Sequence, residues 1–185
     1  PQPYDLTQPS APRGIQVLAD GTNSVVDLSR LVDFTDLALA PGSKLEARNG
    51  GTSLLDASRN LALRQVSLVA SGAGTLLNLG GLRTFEGVQD ATGSCVVQAL
   101  AGATINLPGL QEFGSGSAAF QADGGGSVIN LSGLVRFFGG SLEARNEGVI
   151  RTPKLFFLDR ATVIARGTGQ LDVAQIRKLT NSRVT

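Results

Sequence analysis

The chain has 185 residues and carries 16 basic and 15 acidic side chains, so its net charge at neutral pH is only +1. It contains no His, which excludes histidine-based acid–base catalysis, Ser–His nucleophile pairs and zinc sites built on histidine. The single Cys excludes an internal disulfide, and no apolar run is long enough to suggest a membrane span.

The first 14 residues are rich in proline and polar side chains, which is typical of an arm or linker. We predict an N-terminal arm over residues 1–14 and a single domain over residues 15–185. The start at Pro1 and a tail that resembles the beginning of a repeated segment suggest a processed chain or a fragment. The lone Cys95 alternates with Val97 on one face, so we expect a buried, unreactive thiol.

From Val25 to Leu179 a degenerate motif of about 21–29 residues is repeated seven times. Each copy has an apolar–polar–apolar triplet, then a Leu-x-x-Phe step, then an alternating segment that ends in Ala. The apolar residues just before the polar residue of each triplet, which we call the anchors, are Val26, Leu55, Leu77, Ile105, Ile129, Ile150 and Leu171. A half-copy at residues 17–19 precedes the first anchor. A repeat of this length indicates a stacked architecture in which each copy covers its neighbour.

Alternation over three to five residues is typical of half-buried strands, and Gly and Pro divide each copy into short pieces. We therefore predict an all-β fold, a parallel β-solenoid of about seven coils with three short strands per coil. A leucine-rich repeat is the rival, since Leu-x-x-Phe and x-Asn-x-Leu also occur there. The 24 glycines and the third alternating segment favour the β-solenoid.

The stacked copies predict two columns of interest. An inward aromatic column contains Phe34, Phe85, Phe113 and Phe137. The residues after the anchors form an outward column of Asp27, Asp56, Asn78, Asn106, Asn130, Arg151 and Asp172. Asp27 and Asp56 would lie about 5 Å apart in adjacent coils, near the carboxylate separation of retaining glycosidases. Because the column continues as asparagines, we interpret it as a solvated polar ladder.

No catalytic residue, metal site or cofactor is predicted. Single threonines precede several triplets, but without a second parallel file, so ice binding is only a minor alternative. Two coils carry insertions, at residues 35–42 and 86–94, which we expect to project from one corner about 10 Å apart. Insertions in repeat proteins often collect on the binding face, so Asp36, Glu86 and Asp90 are the candidate binding residues. Neutral variation in loop length is the alternative.

Charge is distributed unevenly along the chain. Residues 1–143 carry 8 basic and 12 acidic side chains, a net charge of −4. Residues 144–185 carry 8 basic and 3 acidic side chains, a net charge of +5. A nucleic-acid-binding surface would need exposed aromatics at the basic end. Only Phe138, Phe156 and Phe157 are near, and we expect at least one in the core, so no nucleic-acid partner is predicted. Opposite charges at two open solenoid ends instead predict head-to-tail association of identical chains. The alternative is that neighbouring coils of a longer polypeptide cover both ends.

Two copies, Gly-Ala-Thr-Ile-Asn-Leu-Pro-Gly-Leu-Gln-Glu-Phe (102–113) and Gly-Ser-Leu-Glu-Ala-Arg-Asn (140–146), resemble the degenerate repeats of large bacterial surface and secreted β-helix proteins. The resemblance extends from Ile15 to the C-terminus and implies an extracellular or cell-surface location and an adhesin, spacer or fibre role. The resemblance identifies no functional residue in this chain.

The sequence therefore leads to two hypotheses of different classes. The first is a non-enzymatic structural protein of an extracellular fibre or adhesin stalk, whose partners are copies of itself end to end, with surface glycans as a further candidate partner. The alternative is a polysaccharide-binding or lyase-like module that uses the insertion corner.

Overall fold

The computed structural model describes residues 14–37, 42–55, 59–89 and 94–185. Within these ranges all regular structure is β, and the strands wind into a parallel solenoid of about six turns. One opening strand is followed by seven copies of a three-strand unit, which confirms the predicted fold class. The predicted arm lies outside the described residues, apart from Gly14.

Each copy contributes one strand to each of three parallel sheets. The first sheet also holds the opening strand and contains β1 (Gln16–Asp20), β4 (Lys44–Arg48), β7 (Ser67–Ser71), β10 (Cys95–Leu100), β13 (Ala118–Asp123), β16 (Ser141–Arg145), β19 (Thr162–Arg166) and β22 (Arg183–Val184). The second contains β2 (Val25–Asp27), β5 (Thr52–Leu55), β8 (Leu76–Leu79), β11 (Thr104–Asn106), β14 (Val128–Asn130), β17 (Val149–Arg151) and β20 (Gln170–Leu171). The third contains β3 (Asp33–Thr35), β6 (Leu61–Arg64), β9 (Leu82–Glu86), β12 (Glu112–Ser115), β15 (Arg136–Phe138), β18 (Phe157–Asp159) and β21 (Lys178–Thr180).

Strand pairing places equivalent residues of successive copies directly on top of each other. In the first sheet the terminal alanines of the third segments form one unbroken column of Ala19, Ala47, Ala70, Ala99, Ala122, Ala144 and Ala165. The predicted aromatic column is also present in the third sheet, where Leu63 fills the gap between Phe34 and Phe85. The periodicity of the sequence therefore corresponds to the register of the solenoid.

The second copy is the exception, because Ser53 and not Leu55 occupies its anchor position. Two residues before the anchor the chain passes close to the preceding coil. A Cβ atom at Gly51 would lie 2.4 Å from the Ala19 carbonyl oxygen, and one at Gly148, two residues before Ile150, would lie 2.3 Å from the Ala122 oxygen. Strand pairing therefore places Ser53 at the anchor position, whereas hydrophobicity alone selects Leu55.

The outward polar column forms the corner between the second and third sheets. Asn130 Oδ1 accepts a hydrogen bond from the Ser132 backbone N–H at 3.1 Å, and Asp27 Oδ1 accepts one from Ser29 at 2.8 Å. Side-chain oxygens of Asn and Asp stabilise turns in this way. In the fifth copy the turn closes with a backbone hydrogen bond from Leu134 N–H to the Leu131 carbonyl at 2.9 Å.

The core centres on four phenylalanines. Phe113 stacks on Phe137 with ring centroids 5.1 Å apart, and both are fully buried. Phe120, which comes from the first sheet, meets both rings edge-on at 5.7 and 5.5 Å. Phe85 completes the cluster from the preceding coil. Such aromatic pairs stabilise by about 0.5–1.5 kcal/mol beyond the area they bury, so the middle coils hold the densest packing.

A charge placed in an inward column should destabilise the protein strongly. Ile129 is fully buried, so Ile129→Asp introduces an unpaired carboxyl group into the core. We expect the free energy of unfolding to fall by about 3 kcal/mol. The matched control is Asn130→Asp, which adds the same group one residue later on the outer face. Denaturant titration of both variants measures the difference, and equal stabilities would contradict the register.

The buried hydroxyl of Ser53 provides a test in which a substitution is expected to stabilise the protein. Its Oγ has no hydrogen-bond partner, so Ser53→Ala should increase the free energy of unfolding by about 1 kcal/mol. Ser127 is equally buried, but its Oγ accepts from Gly102 N–H at 3.0 Å and donates to the Asp123 carbonyl at 2.7 Å. We therefore expect Ser127→Ala to be destabilising in the same titration. Destabilisation by both variants would show that the Ser53 hydroxyl has a partner.

Candidate functional site at the insertion corner and the solenoid ends

Both insertions leave the third sheet and enter the first, so they start from the same corner of the solenoid, as predicted. One follows β3 and the other follows β9. β6 lies between these two strands, which places the insertions two coils apart. Of the three candidate residues, Asp36 and Glu86 are described, and Asp90 lies outside the described residues.

The Asp36 carboxylate holds together the two ends of the first insertion. Its Oδ2 accepts hydrogen bonds from the backbone N–H groups of Gly42 and Ser43, at 3.1 and 3.0 Å. Its own backbone N–H donates to the Arg64 carbonyl at 3.0 Å. A carboxylate that accepts two backbone donors at the foot of a loop fixes the loop, and this is a structural role.

Glu86 faces a different environment at the start of the second insertion. Its Oε2 lies 3.5 Å from Arg64 Nε, and both side chains are partly open to solvent. The carboxylate also borders a small cleft of about 260 Å³ that is lined by Arg83 and Glu112, among others. Asp36 and Glu86 therefore lie on opposite sides of β6, and their carboxylates bind different groups.

A larger cleft of about 450 Å³ lies beside the second insertion. Val88 forms an antiparallel bridge with Ser117, and this holds the start of the insertion against the following copy. The cleft is lined by Val88, Gln89, residues 114–117, Phe138, Gly139 and Arg160. Its lining residues thus include an amide, two serines, one phenylalanine and one arginine, residue types that occur in sites for polar ligands.

The carboxylate pair weighed from the sequence does not form as expected. The residue beside Asp27 in the next coil is Leu54, and Asp56 lies outside the described residues. The shift follows from the Ser53 anchor, which moves the second-sheet strand of this copy by two positions. The hydrogen bond from the Ser29 backbone N–H holds the pKa of Asp27 below its usual range, so this carboxyl group stays ionised and is a poor proton donor.

The expectation that Phe138, Phe156 or Phe157 lies in the core is wrong. Phe156 is 46% exposed, and Phe138 and Phe157 are only partly covered. Phe157 and Phe138 meet edge-on with centroids 5.3 Å apart, and Lys178 Nζ lies 4.8 Å from the centre of the Phe157 ring. Period-two alternation explains this: Leu158 points inward, so its neighbour Phe157 points outward.

The two ends of the solenoid expose the side chains and strand edges that inner coils bury. Among the described residues no strand pairs with the outer edges of β1, β2 and β3 or with those of β20, β21 and β22. In the aromatic column Leu158 is fully buried, whereas Leu179 is 53% exposed at the last step.

Charges at the two ends have opposite signs. Residues 14–37 carry four acidic side chains and one basic, a net charge of −3; the acids are Asp20, Asp27, Asp33 and Asp36, and the base is Arg30. Residues 170–185 carry three basic side chains and one acidic, a net charge of +2; the bases are Arg177, Lys178 and Arg183, and the acid is Asp172.

The remaining chemistry of the described residues is limited. Cys95 is buried, and burial raises the pKa of its thiol to about 11, which agrees with the predicted unreactive thiol. In the ranges that the structure describes, no three His, Cys, Asp or Glu side chains gather as they would around a metal ion. Over the same ranges there is no helix of the length and apolarity needed to cross a bilayer.

Comparison of the chain with protein-family models, curated proteins and solved structures finds no match. The functional assignment therefore depends on the geometry of the solenoid itself.

The structural role of Asp36 can be tested against Glu86. Asp36→Ala removes an acceptor of two backbone hydrogen bonds, and we expect a loss of about 2 kcal/mol in the free energy of unfolding. Glu86→Ala removes only a long, solvent-screened ion pair and should change stability by less than about 1 kcal/mol. Thermal melts of both variants decide the matter, and an unaffected Asp36→Ala protein would contradict the loop-closing role.

Proposed function

We propose that this protein is a non-enzymatic structural β-solenoid that assembles head to tail, as a component of an extracellular fibre or adhesin stalk. The observation that carries the proposal is the pair of open ends, where three parallel strand edges and the apolar columns between them lack a covering coil among the described residues. The extracellular location is supported by the resemblance of the repeats to those of bacterial surface β-helix proteins.

Open parallel edges are templates for pairing with another chain, because backbone N–H and C=O groups there lack protein partners. The exposed apolar side chains at the ends add a second driving force. Leu179 and Val184 at one end are 53% and 41% exposed, and the inward side chains Val17 and Val26 at the other end are only partly buried. Fully covering a side chain of this size stabilises by roughly 1.5–3 kcal/mol, so several of them together can hold a contact between chains.

The opposite charges of the ends favour one orientation. Contact between unlike ends brings the −3 and +2 segments together, whereas contact between like ends opposes equal charges. A contact between two different surfaces of the same molecule repeats without closing when the rotation between copies does not form a ring. Stacking along the solenoid axis therefore leads to a filament.

A second candidate function is binding of a polysaccharide at the insertion corner. It is favoured by the 450 Å³ cleft, which is lined by Phe138 and by the hydrogen-bond donors Gln89 and Arg160. This function needs no assembly, so the two candidates differ in what they require of the chain in solution.

We expect the mean mass measured by light scattering to rise with concentration at low ionic strength and to fall when salt is added, because end-to-end charge attraction is screened. Leu179→Lys, which places a charge in the exposed end of the aromatic column, should keep the chain monomeric. The matched control is Val135→Lys, at a partly exposed site on the side of a middle coil, which should assemble like the wild type.

A chain that remains monomeric at high concentration in low salt would contradict the proposal. If that monomer binds an oligosaccharide, and Arg160→Ala weakens the binding, the polysaccharide-binding alternative takes its place.

A further inference from the structure

We infer that copies join by strand exchange, in which β1 of an incoming copy replaces β22 beside β19 of an acceptor copy, so that β2 then lies on β20 and β3 on β21. The acceptor copy is the one whose last coil is covered, and the incoming copy is the one that covers it. This inference rests on the proposed head-to-tail function and specifies its partner, a second copy of this chain, and the register of the contact.

The numbers of strands in the three sheets decide how copies can stack. The first sheet has eight strands, and the second and third have seven each. A second copy that continues the second and third sheets by one strand therefore brings its β1 to the position that β22 already occupies, beside β19. When β22 leaves, every sheet contributes seven strands per copy, and one rigid placement continues all three sheets.

β22 is weakly held in its own chain. It pairs with β19 over two residues, whereas β1 pairs with β4 over five. Both residues of β22 are exposed, and Val184, its apolar side chain, is 41% exposed. Arg183 and Thr185 donate backbone hydrogen bonds of 2.9 Å to the carbonyl groups of residues 161 and 163. An incoming strand can donate to the same two carbonyl groups, so its hydrogen bonds replace those that β22 loses.

β1 matches the open side of β19 along most of its length. Four residues of β1 would each meet a partner of similar or complementary character in β19: Val17 on Val163, Leu18 on Ile164, Ala19 on Ala165 and Asp20 on Arg166. Leu18 points outward and is 40% exposed, and Ile164 gives it an apolar neighbour. The alanine column, whose last described member is Ala165, continues with Ala19 of the incoming copy.

The turn that follows β1 also fits a preceding coil. Ser24 Oγ donates to a backbone carbonyl of its own turn at 2.5 Å. Ser127, at the same position of an inner coil, makes such a bond and also accepts one from Gly102 N–H of the coil before it, at 3.0 Å. The residue at the Gly102 position in the acceptor copy is Thr168, so its N–H would donate to Ser24 of the incoming copy.

The second and third sheets accept the same placement. Val26 then covers Leu171, and Phe34 covers Leu179, which is 53% exposed in the single chain. Val26 and Phe34 are 8 residues apart, and Leu171 and Leu179 are also 8 residues apart. Both apolar pairs can therefore form in one contact.

Charges favour this register at two positions and oppose it at one: Asp20 on Arg166, Asp33 on Lys178, and Asp27 on Asp172. The first pair has a precedent within the chain, because Asp20 Oδ2 lies 2.8 Å from Arg48 Nη2 in the same column. Arg166 binds Glu143 through Nε at 2.6 Å, and Asp20 would be a second acceptor for its guanidinium group. These groups are exposed, so they select the register more than they add affinity.

Engineered cysteines distinguish exchange from simple stacking on β22. The pair Leu18→Cys with Ile164→Cys lies on neighbouring strands only when β1 has replaced β22, and a strand spacing of about 4.8 Å is within reach of a disulfide. Within one chain these two positions are six strand spacings apart, roughly 29 Å, so the bond must join two copies.

The matched control is Leu18→Cys with Thr185→Cys, because Thr185 lies beside Ile164 and would adjoin Leu18 of the next copy if β22 stayed in place. On oxidation at high protein concentration, the first pair should give a ladder of covalent oligomers on a non-reducing gel, about ten times more than the control pair. The wild type, whose Cys95 is buried, supplies the background.

Loosening β22 should promote assembly. Thr185→Pro removes the N–H that binds the Val163 carbonyl and changes no charge. We expect the association constant, measured by sedimentation velocity, to rise by about two- to tenfold. An unchanged or smaller association constant would show that β22 stays in the contact, and the exchange would be wrong.

Failure of the exchange and failure of the proposed function give different results. If the wild type assembles but the control pair forms the covalent ladder, or neither pair does, the copies meet in another register and the inference is overturned while head-to-tail assembly is retained. A wild type that never assembles overturns the proposed function together with this inference.

Discussion

Parallel hydrogen bonding between consecutive coils is the constraint on which the rest of this structure depends. Each inner strand pairs with the equivalent strand of the preceding coil and with that of the following coil. The backbone hydrogen-bonding groups of a coil are therefore all satisfied only when another coil covers it on both sides. The side chains then fall into columns that are mainly apolar inside and mainly polar outside, with Ser53 as an exception in an inward column. Copies can differ in length at the corners, because a loop leaves the stack without disturbing the strands above and below.

The parts of the fold that depend on side-chain periodicity could be predicted from the sequence. The Ala column and most of the aromatic column follow from the spacing of apolar residues. The second anchor could not, because hydrophobicity favours Leu55, whereas the strand pairing places Ser53 in the column. Phe120 shows the same limit, since its contact with Phe113 crosses from one sheet to another and has no signature in the repeat.

The candidate sites were predictable to different degrees. The insertion corner follows from the extra residues in two copies, but the cleft beside it is built from backbone and side chains of several copies and has no local motif. The role of Asp36 depends on two backbone N–H groups that only the folded loop brings together. The polar column also has a local function, since Asp27 and Asn130 cap the corner turns.

If chains stack head to tail, only the end strands should depend on assembly for protection of their backbone amides from hydrogen exchange. Amide hydrogen exchange, followed by residue at low and high protein concentration, measures this directly, because exchange reports local opening. In the dilute protein the amides of β1–β3 and β20–β22 should exchange much faster than those of β11–β15, and at high concentration those of β1–β3, β20 and β21 should become protected together. Protection that appears at only one end, or on the sides of the middle coils, would contradict head-to-tail stacking.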